Sequence, residues 1–409
     1  MRGPRQLLAR PGAPRRMAVR AAAVACWTAC VFLVASLTAL AQRSHTPSLP
    51  FATPAGFPEP RVPSDNPVTA DKVEVGRRLF YDTRLSGNQT ESCSSCHEQE
   101  LAFTDGRAQS VGSTGQAHPR SAPSLVNVAY NSTLTWANPA LLTLEAQMQV
   151  PLFGTSPVEL GINDHNKSAV LKRIKRDRWY RRHFPRAFES KGRAISWKNI
   201  VRSIASFQRS IVSAKSRYDR YLRGKAELTD AQSRGMDLFM GEEAQCHHCH
   251  GTFLFSDQAT YEGAPRVPVL FHNNGLYNID GTGAYPENNE GLAAITGRKR
   301  DTGKFKAPSL RNVALTAPYM HDGSIPTLRA VVEHYSRGGR LIEDGPLAGD
   351  GRDSPYLDPL IAPLDLSERQ KKDLVAFLKS LTDKSVTTNP RFSDPFKHRR
   401  HKGSSPDRP

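Results

Sequence analysis

Cysteine is scarce in this chain, six in 409 residues, and two of the six, Cys26 and Cys30, stand inside an apolar stretch near the start. The other four fall in two Cys-x-x-Cys pairs, which leaves no cysteine over for a disulfide. Acid is short as well: 39 Asp and Glu against 56 Lys and Arg give a formal charge of +17. The deficit is local. From Lys167 to Lys225, 19 Lys and Arg face three acids, and from Lys384 to Pro409 seven face two, so the rest of the chain after the leader is net acidic. Such asymmetry suits an acidic partner docking on the basic middle segment, or is simply an arginine-rich solvated surface. Nucleic acid is excluded as a partner, because no matching motif accompanies the charge. Alternating apolar and polar runs are also scarce, which excludes a β-rich class and leaves a mainly α fold.

Residues 1–20 hold six arginines and no acid, Ala21 to Leu40 is almost wholly apolar, and Ala39-Leu40-Ala41 offers small residues at a cleavage point. This is the layout of a secretory signal, 1–41, with Gln42 as the first residue left after cleavage. The length of the apolar run also approaches a membrane span, so an uncleaved anchor is the alternative. Export places the protein in a periplasm or its equivalent.

The remaining cysteines carry the chemistry. Cys93-Ser94-Ser95-Cys96-His97 and Cys246-His247-His248-Cys249-His250 are both Cys-x-x-Cys-His runs. In a c-type haem site the two thiols form thioethers with the porphyrin and the adjacent imidazole ligates the iron. Cys-x-x-Cys knuckles also hold zinc, with His247, His248 and His250 as further ligands. A histidine directly after each second cysteine, in an exported chain, favours two haems. Each iron has a second axial position. A haem that only passes electrons has it filled; one that activates peroxide keeps it open toward an acid or base.

The chain contains an internal repeat. Gly76-Arg77-Arg78-Leu79-Phe80 precedes the first motif as Gly235-Met236-Asp237-Leu238-Phe239 precedes the second. Ala122-Pro123-Ser124-Leu125-Val126-Asn127-Val128-Ala129 recurs as Ala307-Pro308-Ser309-Leu310-Arg311-Asn312-Val313-Ala314. Thirteen residues beyond the repeated proline stand Trp136 in one copy and His321 in the other. The reading is two cytochrome c-like haem modules related by duplication, 67–165 and 227–383, with few strands and long loops at 251–289 and 338–363. A basic helical segment, 166–226, lies between them, with Ile200, Ile204, Phe207 and Ile211 on one helical face. Capping boxes, Thr229 with Gln232 and Ser367 with Gln370, start two more helices. An extended proline-containing segment, 42–66, and a basic mobile tail, 384–409, complete the chain.

The stretch Cys93 to Gly161, the block Thr316-Ala317-Pro318-Tyr319-Met320-His321-Asp322-Gly323-Ser324 and the following Thr327 to Tyr335 resemble the bacterial di-haem cytochrome c peroxidase and MauG family. Gly56 to Pro63, Asp82 to Asn88 and Leu134 to Pro139 are most similar to its MbnH-like branch. The resemblance implies that the His97 haem is the peroxidatic one. Glu159 matches the family's distal glutamate, with Gln147 and Pro151 as its companions. A carboxylate beside peroxide can take a proton from one oxygen and return it to the other, provided burial keeps its pKa high enough. Some members park a loop histidine on this iron; the register here puts Ser113 at that place, with His118 the nearest histidine.

For the second haem the resemblance implies His250 and Tyr335 as axial ligands, with His334 or Met320 as alternatives to the tyrosine. Tyr335 stands fourteen residues beyond His321, where the small-cytochrome peroxidases have methionine. Trp136 matches the tryptophan between the haems, and His321 is expected to orient haem propionates. The family also has a calcium ion between the modules, for which Thr316, Pro318 and Ser121 would be the ligands, Ser121 replacing an asparagine. The implied activity is oxidation by hydrogen peroxide of a partner protein, a tryptophan side chain of a copper-binding protein by analogy with the MbnH-like branch. The alternatives are peroxide reduction with electrons from a soluble cytochrome c, or a non-enzymatic electron carrier.

Overall fold

Two glycines set the architecture. A Cβ on Gly76 would lie 1.9 Å from the Ser203 carbonyl oxygen, and one on Gly235 would lie 1.9 Å from that of Asp373. Each glycine therefore lets two helices touch backbone to backbone: Ala70–Phe80 against Trp197–Arg209, and Asp230–Met240 against Glu368–Ser380. Around each crossing the same aromatic contact recurs, Phe80 on Phe207 with ring centroids 5.1 Å apart and Phe239 on Phe377 at 5.3 Å. The computed structural model describes residues 52–397 apart from 191 and 267; the leader, residues 42–51 and residues 398–409 lie outside the described residues.

The fold is mainly α. Among the described residues the strand content is one antiparallel pair, Leu341–Ile342 with Gly349–Asp350, plus isolated bridges, and no helix is long and apolar enough to cross a membrane. Ile200, Ile204, Phe207 and Ile211 are fully buried, as their helical spacing requires. Both capping boxes form, Thr229 with Gln232 and Ser367 with Gln370, each satisfying backbone N–H groups that the helix start leaves unpaired.

Two features depart from the sequence expectation. The basic segment 166–226 is not a separate spacer between the modules: its helix Trp197–Arg209 completes the first core against Ala70–Phe80, because the apolar face needs the partner that Gly76 admits, while Ser213 and Asp219 beyond it bond to the second module. The tail is not mobile over 384–397. Val386 and Phe392 are 2 % and 5 % exposed within the first core. The Gln99 amide donates to the Val386 and Asn389 carbonyls, both at 2.9 Å, and Tyr81 Oη donates to the Phe392 carbonyl at 2.7 Å. The chain's C-terminal side thus returns to cover its N-terminal module. The described part of 42–66 is docked too: the Phe57 ring packs edge-on against Tyr130 and Phe253.

The repeated Ala-Pro-Ser-Leu-x-Asn segments explain how the copies join. Asn127 and Asn312 both take left-handed backbone, φ 61° and 63°, which asparagine tolerates better than most residues. Asn127 exchanges hydrogen bonds with Ser213, and Asn312 accepts from the Asp383 N–H at 2.7 Å. The Asn312 amide then donates to Ser213 Oγ, and Ser213 Oγ donates to the Asp383 carboxylate, both at 3.0 Å. The two copies are therefore knit through one buried, fully polar junction.

Candidate functional site

His97 and His250 are held alike. Nδ1 of His97 donates to the Phe103 carbonyl at 2.9 Å, and Nδ1 of His250 to the Phe255 carbonyl at 2.8 Å. A carbonyl can only accept, so each proton sits on Nδ1 and the lone pair of Nε2 is left for a metal. Phe103 and Phe255 both adopt left-handed backbone, φ 62° and 54°, and offer the carbonyls in the same way. Burial holds both imidazoles below their ordinary pKa, which favours the neutral, ligating form. None of the four cysteines of the motifs is engaged in a disulfide.

The second motif opens on a cavity of about 270 Å³ lined by Cys246, Cys249, His250, Tyr335, Met320 and Trp136, with apolar walls from residues such as Val332 and Leu374. Three basic side chains in its surroundings are held by burial away from their ordinary pKa. His321 stacks on Phe305 at 3.6 Å, its Nε2 is buried without a hydrogen bond, and burial pushes its pKa to about 3. Lys306 is buried with only the Thr133 carbonyl, at 3.1 Å, on its ammonium, and is pushed down to about 8 by burial. Arg120 lies over the Phe305 ring and is lowered by burial. An apolar slot with a pair of cysteines, a poised imidazole and buried cationic side chains fits a tetrapyrrole that brings its own carboxylates.

Tyr335 and Met320 line this cavity together, and the Asn274 amide reaches both, Tyr335 Oη at 3.2 Å and Met320 Sδ at 3.5 Å. Burial pushes the Tyr335 phenol up to about 12. His334 is engaged elsewhere, its Nε2 donating to the Asn274 carbonyl at 3.0 Å. Trp136 Nε1 donates to the Ser121 carbonyl at 2.9 Å, and the Ser121 N–H donates to the His321 carbonyl at 2.9 Å. Trp136 and His321, at equivalent places in the two copies, thus converge on the same wall.

The expected calcium ligands also line that wall. Ser121, however, spends its carbonyl on Trp136 and directs its hydroxyl at the Met320 and His321 carbonyls. Calcium takes six to eight oxygens, commonly with carboxylates among them. Three neutral residues, one already engaged, do not supply that set.

At the first motif, three segments converge on Glu159. Its carbonyl accepts from the Ser113 N–H at 2.8 Å, and next to it the Leu160 N–H donates to the Pro151 carbonyl at 2.9 Å. Gln147 ends the helix Leu144–Gln147, one turn before Pro151. The Ser113 loop is closed by the Val111–Ala117 bridge and braced on the Glu159 segment, and His118 Nε2 lies 3.8 Å from Glu159 Oε1. The side chain of Glu159 is 32 % exposed, yet burial raises its pKa to about 7. Its charge is felt at the haem motif: burial foremost, with Glu159 among the lesser contributors, pushes the Cys93 and Cys96 thiols up to about 12.

Sequence reading missed one cluster. His272 is clamped between Asp257, 2.6 Å from Nε2, and Asp358, 2.7 Å from Nδ1, beside Cys249. Burial opposes its charged form, but the two carboxylates outweigh it and push the imidazole up to about 12. Phe103-Thr104-Asp105 and Phe255-Ser256-Asp257 match after each motif, so the repeat could have singled out Asp257. His272 and Asp358 lie in loops without any period.

The family model described as di-haem cytochrome c peroxidase matches residues 70–227, and that for RoxA-like, cytochrome c-like proteins matches 304–340. The methylamine utilization protein MauG of Methylorubrum extorquens is 33% identical over 334 residues, covering 81% of this chain and 83% of its own. Cytochrome-c peroxidase IdrP1 of Denitromonas iodatirespirans is 35% identical over 346 residues, covering 80% of this chain and 85% of its own. The crystal structure of a MauG-like protein associated with microbial copper homeostasis matches with a TM-score of 0.83 and 55% identity, over 85% of this chain and 99% of that one.

Proposed function

The chain belongs to the di-haem cytochrome c peroxidase/MauG family and is a haem-dependent oxidoreductase with two c-type haems, and we propose that it uses hydrogen peroxide to oxidise a side chain of a partner protein. The observation that carries this reading is Glu159, a carboxylate held near pKa 7 against the first haem motif. When bound, the haems supply the redox chemistry and hold the two oxidising equivalents of the peroxide. Glu159 takes the proton from one peroxide oxygen and delivers it to the other, which leaves as water. The Ser113 and Pro151 contacts fix the backbone on either side of that carboxylate.

Trp136, on the wall of the second cavity, relays charge between the two centres; an indole is large, polarizable and oxidisable. Tyr335 would hold the iron of the second haem together with His250. In support, it lines the cavity, and the Asn274 amide next to its oxygen favours the phenolate that iron would take. His321 and Lys306 orient the propionates. Exposed Lys172, Arg176, Arg181 and Arg182, on the helices Lys167–Arg176 and Arg178–Ala187, offer an acidic partner a docking face. Likeness to the structure associated with copper homeostasis supports a copper-binding protein as that partner, and the resemblance to the MbnH-like branch supports a tryptophan as the oxidised group. A secretory leader read at 1–41, together with haem attachment, supports a periplasmic location for this chemistry.

An electron paramagnetic resonance spectrum of the ferric protein, followed by one equivalent of peroxide without donor, tests the reading. One high-spin and one low-spin signal lost together support it. Two low-spin signals indifferent to peroxide would overturn it. A second reading, peroxide reduction with electrons from a soluble cytochrome c, is favoured by the relative named cytochrome-c peroxidase and by Met320 beside Tyr335. Peroxide reactivity appearing only after one haem is reduced would select it.

A further inference from the structure

Haem attachment asks nothing of the two residues between the cysteines, and in the first motif they are serines. In the second they are His247 and His248, and both turn their Nε2 atoms toward one carboxylate. His247 Nε2 lies 3.6 Å from Glu242 Oε1 and His248 Nε2 lies 3.3 Å from Glu242 Oε2. The imidazole centroids are 4.3 Å apart, and one ligating atom from each of the three residues lies within 4.8 Å of the others. The backbone holds this grouping: the Gln245 N–H donates to the Gly241 carbonyl at 3.1 Å, and the His248 N–H donates to the Gln245 carbonyl at 3.3 Å. Gln245 takes left-handed backbone, φ 53°, which turns the chain between Glu242 and the histidines. Nδ1 of His247 is buried without a partner. That nitrogen carries the proton at no cost to ligation, and the Nε2 lone pair faces Glu242.

We propose that Glu242, His247 and His248 form a metal site for a divalent late transition ion, Cu(II) or Zn(II), on the outer side of the C-terminal haem motif. Two imidazoles and one carboxylate are the donor set these ions take, whereas calcium and magnesium want oxygen alone. The order of stability for such a set puts Cu(II) above Zn(II). Three protein donors leave a fourth position to water, so the ion exchanges freely. His248 also lines the haem cavity, and Cys246 and Cys249 flank the pair, so the ion's charge sits beside the porphyrin edge. It therefore shifts the potential of the second haem upward.

The inference goes beyond the peroxidase reading and does not depend on it, because the test uses the resting di-haem protein without peroxide. The tag-free chain is stripped with chelator and titrated with Cu(II) and, separately, Zn(II), by equilibrium dialysis and, for copper, by electron paramagnetic resonance. About one equivalent of either ion per chain is expected, copper the tighter, with nitrogen hyperfine structure on the copper signal. Glu242→Gln and His248→Asn each weaken binding about tenfold or more, and the His247→Asn/His248→Asn double variant abolishes it. An unaltered Soret band in each variant shows that haem attachment and folding survive. Absence of stoichiometric binding, or equal affinity in the double variant, overturns the proposal.

Discussion

Replacing Glu159 by glutamine keeps the size and hydrogen bonding of the side chain and removes its ability to exchange a proton. Burial has raised the pKa of this carboxyl from the ordinary range to about 7. Its ionised fraction is then about nine-tenths at pH 8, one-half at pH 7 and one-tenth at pH 6, whereas a carboxylate of ordinary pKa stays ionised throughout. If ionised Glu159 takes the first proton, the rate of reaction with peroxide falls about tenfold from pH 8 to pH 6. His118, 3.8 Å away, is held below its ordinary pKa by burial, which displaces its own step to the acid side. Glu159→Gln loses this pH dependence together with about 10²- to 10⁴-fold in rate, the usual worth of a positioned acid–base group. Stopped-flow mixing with peroxide, followed at the Soret band, measures both. A flat profile in the parent protein, or a glutamine variant within a few-fold of it, would refute the assignment.

Gly76→Ala and Gly235→Ala each force a methyl group into a carbonyl 1.9 Å away, and neither backbone can give way, so each costs about 3 kcal/mol or more in chemical denaturation. Gly192→Ala, with nothing within 4 Å of its Cβ, is the control and leaves stability nearly unchanged. Phe392→Ala removes the ring that packs on Phe103 at 6.4 Å and costs about 3–5 kcal/mol, read from the same curves; an unchanged midpoint would mean the tail is not part of the first core. Arg311→Met leaves the Asp219 carboxylate, at 4 % side-chain exposure, without the guanidinium now 2.9 Å away, and is expected to cost about 3–5 kcal/mol by thermal or chemical unfolding.

Much of this fold can be read from the sequence because duplication writes it twice. Gly76 and Gly235 stand at matching places, and so do Asn127 and Asn312; a position kept in both copies carries a physical demand common to both, close helix approach in one case and left-handed backbone in the other. The buried face of Trp197–Arg209 is likewise explicit in its spacing. The docking of 384–397 is not, because a few apolar residues among polar and basic ones have no period, and only the surface of the first module supplies the complement for Val386 and Phe392. His272 with Asp257 and Asp358 is hidden for a related reason: its members are scattered over loops and meet only once the second module folds.

The symmetry of the frame makes its departures informative. Helix crossing, histidine anchor and left-handed asparagine are the same in both copies, so each module can hold a haem by the same means. The copies part company beyond the histidine anchor. Near the first motif lies an acid near neutrality; in the cavity of the second, a phenol and a thioether share one amide donor. At the repeated position between them, one copy supplies an oxidisable indole and the other an imidazole stripped of partners, and they meet on one wall. A carrier of electrons alone would need no acid at the first site. A peroxidase confined to its own pocket would need no oxidisable indole between the two. The arrangement makes physical sense where the proton chemistry is done at one centre and its oxidising power is drawn off through the other.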